Sequence, residues 1–196
     1  MRKGKPIVRD PANLVLNTMI KILAIPGSLR AKSSSNKILS AVISMAPTEV
    51  SVEVFDGVGK LPHFNDSDEA DPSVEAFRAK INAADAVLIC TPEYAFGVPG
   101  SLKNALDWTV SSGEFIDKPV GLITASSQGE KGHAALLLIL TAISSKVVYD
   151  ATLLISFVRS KLDHEGRIKD PQVSSDLNRV LHALVQSVEA KNSFEK

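Results

Sequence analysis

The feature that most constrains the fold is an alternation along the chain. Short, nearly continuous apolar runs recur, and between them lie segments with helical spacing. Ala86–Cys90 reads AVLIC and has no polar face. A strand with one side in water keeps polar residues at every second position, whereas one covered by helices on both sides does not. The alternation is therefore the pattern of βαβ units. It predicts strands at 20–25, 50–55, 86–91, 119–125 and about 151–157. It predicts helices near 36–45, 72–84, 100–110, 132–145 and 172–190. Asp71 before Pro72 marks a helix start, an N-cap followed by proline at the first helical position. Right-handed crossovers then allow an α/β doubly wound, five-stranded parallel sheet in the order 2-1-3-4-5, with helices on both faces.

Bulk properties narrow the functional classes. A chain of 196 residues, 44% of them hydrophobic, supports one full core and is short for two. Lys plus Arg and Asp plus Glu both number 22, so no net field draws the chain to nucleic acid or an anionic membrane. Any anion must be held by local donors. No apolar run approaches the roughly 20 residues that cross a bilayer. The basic N-terminus, with Arg2, Lys3 and Lys5, lacks the apolar stretch of a secretory signal. A cytoplasmic location is expected. The one cysteine, Cys90, agrees with a reducing compartment and reads as a buried, inert thiol. Residues 1–18 are expected to be a poorly ordered extension, with Met19 as the functional start of a domain spanning 19–196.

In an open parallel sheet, ligands bind beyond the carboxyl ends of the strands where the strand order reverses. Both loops there, after the first and third strands, are chemically unusual. The first, Gly27–Asn36, reads GSLRAKSSSN and leads into a helix. Hydroxyls at Ser28, Ser33, Ser34 and Ser35, the Arg30 guanidinium and the N–H groups of the helix start make a donor-rich cup. It suits a phosphate monoester. It is neither GxGxxG nor GxxxxGK[ST], so neither a two-phosphate Rossmann mode nor a P-loop is indicated. A solvated, Ser-rich capping loop is the plainer alternative.

The second loop, Thr91–Trp108, reads TPEYAFGVPGSLKNALDW. Two prolines stiffen it, two glycines relax it locally, and Tyr94 and Phe96 add aromatic surface, a shape for a flat ring. Trp108, at helical spacing, reads as core.

The combination of GSLR with its serine run, LPHFND at Leu61–Asp66, PEYAFGVPGSLKNALDW, and KPVGLITAS at Lys118–Ser126 resembles the NADPH-dependent FMN reductase family, in order, over about residues 19–190. The PEY segment is its most specific part. The resemblance implies a flavodoxin-like fold, bound FMN, NADPH or NADH as co-substrate, assembly as homodimers or homotetramers, and reduction of quinones, free flavin, chromate or azo compounds. It implies that Ser28, Arg30, Ser33, Ser35 and Asn36 hold the FMN phosphate. Pro92, Glu93, Tyr94, Ala95 and Phe96 would line the isoalloxazine, and Ser126 would complete the site. Two departures stand out. The phosphate loop has one serine more than the usual Arg-x-x-Ser-x-Asn, leaving open which of Ser33, Ser34 and Ser35 points inward. Ala95–Phe96 replaces a pair that is often polar, which shifts ring contacts toward backbone groups and substrate choice toward apolar acceptors.

In such a protein the hydride chemistry belongs to the flavin, and no dedicated acid or base is needed. The histidines lack metal-ligand spacing and no GxSxG elbow is present. Lys131 and His133, in the loop after the fourth strand, read either as anion contacts or as parts of a polar loop at a helix start. Two rival functions remain: a flavodoxin-like electron carrier, disfavoured by the neutral charge, and a flavin-free interaction protein.

Overall fold

A computed structural model describes residues 19–66 and 71–194. The expected extension at 1–18 lies outside the described residues. The central strands explain the alternation. Every residue of β3 (Ala86–Thr91) and β4 (Pro119–Ala125) is buried, because helices cover both faces. β1 (Ile20–Pro26) lies beside β3, while β2 (Val50–Val54) and β5 (Lys146–Ile155) form the edges and keep exposed residues. All pairings are parallel, and the order is β2-β1-β3-β4-β5. This is the doubly wound, flavodoxin-like sheet.

Alternate residues of each central strand feed opposite cores. Ile22, Ala24, Leu88 and Cys90 meet α1 (Ser34–Ser44) and α5 (Pro171–Phe194) through Ile38, Val42, Leu177 and Leu184. Leu23, Ile25, Val87 and Ile89 meet α2 (Pro72–Ala83), α3 (Gly100–Asp107) and α4 (Glu130–Ala142) through Phe77, Leu106 and Leu136. The Asp71 side chain caps α2 by accepting from Ser73 N. Trp108 is buried and donates Nε1–H to Pro62 O at 2.9 Å.

β5 begins earlier than its sequence suggests. Its register on β4 jumps from Val120↔Val147 to Leu122↔Thr152. The first half of the strand is an irregular edge carrying Lys146, Tyr149 and Asp150 toward solvent. An edge strand with a bulge needs no continuous apolar run, so its sequence lacks the signal that marks β3 and β4.

Candidate functional site

The carboxyl ends of β1, β3, β4 and β5 open on one cleft of about 570 Å³. Its walls come from four loops: Arg30 and Ser33–Ser35 after β1, Pro92–Tyr94 after β3, Ala125–Ser127 after β4, and Phe157–Ser160 after β5.

The β1 loop starts with a close approach. Gly27 N donates to Cys90 O at 2.8 Å, and a Cβ on Gly27 would sit 2.5 Å from Thr91 Cβ and 3.0 Å from its Cα. Only glycine lets the two strand ends converge there. The chain then turns into α1, capped by Ser33, whose Oγ accepts from Asn36 N at 3.2 Å. In a helix the first N–H groups have no intrahelical acceptor. Those of Ser34 and Ser35 bond to nothing among the described residues. Beside them are the buried hydroxyls of Ser33 and Ser35, 3.2 Å apart. Arg30 is exposed and has no ion-pair partner among the described residues.

The other expected phosphate residues stand behind this surface. Ser28 is buried; its Oγ accepts from Arg30 N at 3.3 Å and lies 3.3 Å from the Tyr94 hydroxyl, tying the β1 and β3 loops together. Asn36 turns Nδ2 onto the carbonyls of Ser28 and Arg30, at 3.3 and 3.2 Å, and so holds the loop's curve. Its Oδ1 is buried without a partner among the described residues. The donor set fits a phosphate monoester: two open N–H groups at a helix start, two hydroxyls and an unpaired guanidinium.

After β3, Pro92, Glu93 and Tyr94 form the wall facing the cup. The Glu93 side chain bridges to the next loop. Its carboxylate accepts from Gly132 N at 2.6 Å and Gly129 N at 3.3 Å, capping α4, whose own N-cap residue Gly129 has no side chain to do so. Ser126 Oγ accepts from Glu93 N at 3.3 Å. Ala95 and Phe96 lie outside the cleft wall. They are the two central residues of a tight turn closed by Tyr94 N→Gly97 O and Gly97 N→Tyr94 O, both with positive φ, 48° and 60°. This is the primed geometry of a two-residue hairpin, which L side chains occupy at some cost. The turn leaves Phe96 71% exposed, at a smaller hollow it shares with Glu93, Lys131 and Phe157.

The fourth wall, Phe157–Ser160, was not read from the sequence, nor was Ser127. Phe157, at φ 52°, turns the chain sharply out of β5. Its N–H donates to Ser127 O, and that of Val158 to Ser126 O, both at 3.0 Å. A usable signal did exist: all strands of a parallel sheet end on one side, so SFVRS after β5 had to reach the same rim.

His133 points away from any anion role. Its Nδ1 lies 2.9 Å from Thr124 Oγ1, and burial pushes its pKa down, favouring the neutral ring. Cys90 is fully buried and burial pushes its thiol up, which leaves it inert. No cluster of metal-binding side chains occurs, and no helix is long and apolar enough to cross a membrane, among the described residues.

Comparison with known proteins identifies the family and agrees with the fold. The sequence profile of the NADPH-dependent FMN reductase family matches residues 20–159. An NAD(P)H-dependent FMN reductase of Pseudomonas aeruginosa is 34% identical over 84% of this chain and 93% of its own. A 2-hydroxy-1,4-benzoquinone reductase of Burkholderia sp is 32% identical over 87% of this chain and 95% of its own. Among solved structures, FerB, a flavoenzyme NAD(P)H:(acceptor) oxidoreductase of Paracoccus denitrificans, superposes with a TM-score of 0.72 at 25% identity, covering 87% of this chain and 98% of that one.

Proposed function

Because the chain belongs to the NADPH-dependent FMN reductase family, an NAD(P)H-dependent enzyme with FMN as cofactor, we propose that its acceptors are quinones first, with free flavin and chromate as further substrates. When bound, FMN supplies the N5 atom that accepts hydride from the nicotinamide and the reducing electrons for the acceptor. The observation that carries the reading is the joining, in one cleft, of an open helix N-terminus with an unpaired arginine and a stiff wall of Pro92 and Tyr94.

In this reading the chain's residues bind and orient. Arg30, Ser33, Ser35 and the first N–H groups of α1 hold the phosphate, with Ser34 beside them. Ser28 and Asn36 keep that loop curved. Pro92, Glu93, Tyr94 and Ser126 back the ring system. Ala95 and Phe96 edge the mouth, where the exposed Phe96 ring favours a flat, apolar acceptor. Nicotinamide and acceptor use one opening in turn, which predicts ping-pong kinetics. A quinone acceptor is further supported by the benzoquinone named for the Burkholderia relative.

We also infer a homodimer or homotetramer, supported by the exposed Leu138 on α4 and Tyr149 on the β5 edge. The single, buried cysteine suits action in a reducing cytoplasm. The test is steady-state turnover with NADPH and NADH against benzoquinone, free FMN and chromate. Parallel double-reciprocal lines with benzoquinone, and the highest kcat/KM for it, are expected. Turnover of chromate but not of any quinone would overturn the acceptor assignment.

A further inference from the structure

Five arginines are described, and they divide by location. Arg78, Arg167 and Arg179 each pair with a carboxylate, on Glu75, Asp163 and Asp176 respectively. Arg30 and Arg159, the two on the cleft, have no carboxylate partner among the described residues. The cleft's one acid, Glu93, is occupied by the N–H groups of Gly129 and Gly132. The lining therefore carries two uncommitted guanidinium groups, and a site so charged calls for an anion.

We infer that Arg159 is a second guanidinium ligand of the flavin phosphate, reaching it from the turn after β5. The inference rests on the FMN site proposed above and extends it to a loop outside the sequence segments that carry the resemblance. A phosphate monoester carries close to two negative charges near neutrality. Arg30 and the α1 dipole, worth about half a charge, leave part of that unbalanced. Arg159 supplies the remainder. Its backbone is held in place for the task. Val158 is buried beneath it, its N–H bonds to Ser126 O, and the Ser160 N–H and hydroxyl both return to Phe157 O at 2.8 Å. The 3-10 turn Val158–Lys161 packs against α1, the helix whose first turn forms the cup. That contact sets Arg159 on the same cleft as the cup residues Arg30 and Ser33–Ser35, within the flavin phosphate's part of the site, which favours that phosphate over one of the dinucleotide.

The test uses the full chain loaded with FMN or with riboflavin, which lacks the phosphate, serially diluted while the fluorescence of released flavin is followed. Arg159→Gln should raise the Kd for FMN about tenfold or more and leave that for riboflavin within about twofold. Arg159→Lys should fall between wild type and Arg159→Gln, because it keeps the charge and loses the fork. The inference is overturned if Arg159→Gln holds FMN within about twofold of wild type, or weakens both flavins equally. It is also overturned if the variant raises KM for NADPH alone, which would assign the guanidinium to the co-substrate. A wild-type protein that retains no FMN would instead overturn the site itself.

Discussion

His133 shows how one side chain near the site takes its role from its surroundings. It lies in the first turn of α4, with the buried Thr124 hydroxyl on Nδ1, and burial holds its pKa below the ordinary value. In the unfolded chain a histidine takes up a proton near about pH 6.5, so below that the unfolded state binds more protons than the fold. The stability this side chain contributes is present above about pH 6.5 and lost as the pH falls through the lower, folded value. Urea midpoints measured between about pH 7.5 and pH 5 should decline on the acid side. His133→Asn keeps a polar atom for Thr124 and should flatten the decline. An equally steep decline in the variant would assign the acid sensitivity elsewhere. Other residues divide by how local their cause is. The serines and Arg30 were legible because hydroxyls, a guanidinium and a helix start are a chemistry readable in a row. Arg159 was not, since its relevance comes from a strand end distant in sequence.

At the scale of elements, the tie between the β3 loop and α4 is the most consequential contact. A helix beginning at a glycine has no cap of its own, and Glu93 provides one from another loop. Glu93 also lines the cleft, and α4 packs closely on it, since a Cβ on Gly132 would lie 3.1 Å from Glu93 Cβ. Glu93→Gln keeps the shape but removes the charge and places an NH2 against one of the N–H donors. We expect a loss of about 1 kcal/mol in unfolding free energy by urea titration, together with weaker retention of FMN. Full stability in this variant would show that the α4 terminus does not depend on the carboxylate. The sequence marked Glu93 only as part of a loop lining a ring; its capping role depends on α4 packing over that loop. Among the elements, β3 and β4 could be read to the residue because double-sided burial demands an unbroken apolar run. The first half of β5 could not, since Lys146 to Asp150 lie on a half-solvated edge and pair through a register jump. The Ala95–Phe96 turn was hidden for another reason. Two L residues at positive φ carry no glycine or asparagine signal.

At the scale of the whole molecule, the cleft is a seam between the two halves of the fold. Its loops leave four strands, and the helices behind them belong to both hydrophobic cores. A ligand seated across all four loops binds the native state and has no counterpart in the unfolded chain, so it must stabilise the fold as a whole. At free FMN 100-fold above Kd the gain is about 2.7 kcal/mol. For a chain of this size that corresponds to roughly 5–10 °C in melting temperature. Thermal melts of the full chain should therefore shift upward with the logarithm of FMN concentration. Riboflavin at the same concentrations should give a much smaller shift, because the open N–H groups of Ser34 and Ser35 and the Arg30 guanidinium would have no phosphate to bind. Equal shifts from the two flavins would mean that the ring wall alone supplies the affinity, and would remove the α1 cup from the binding site.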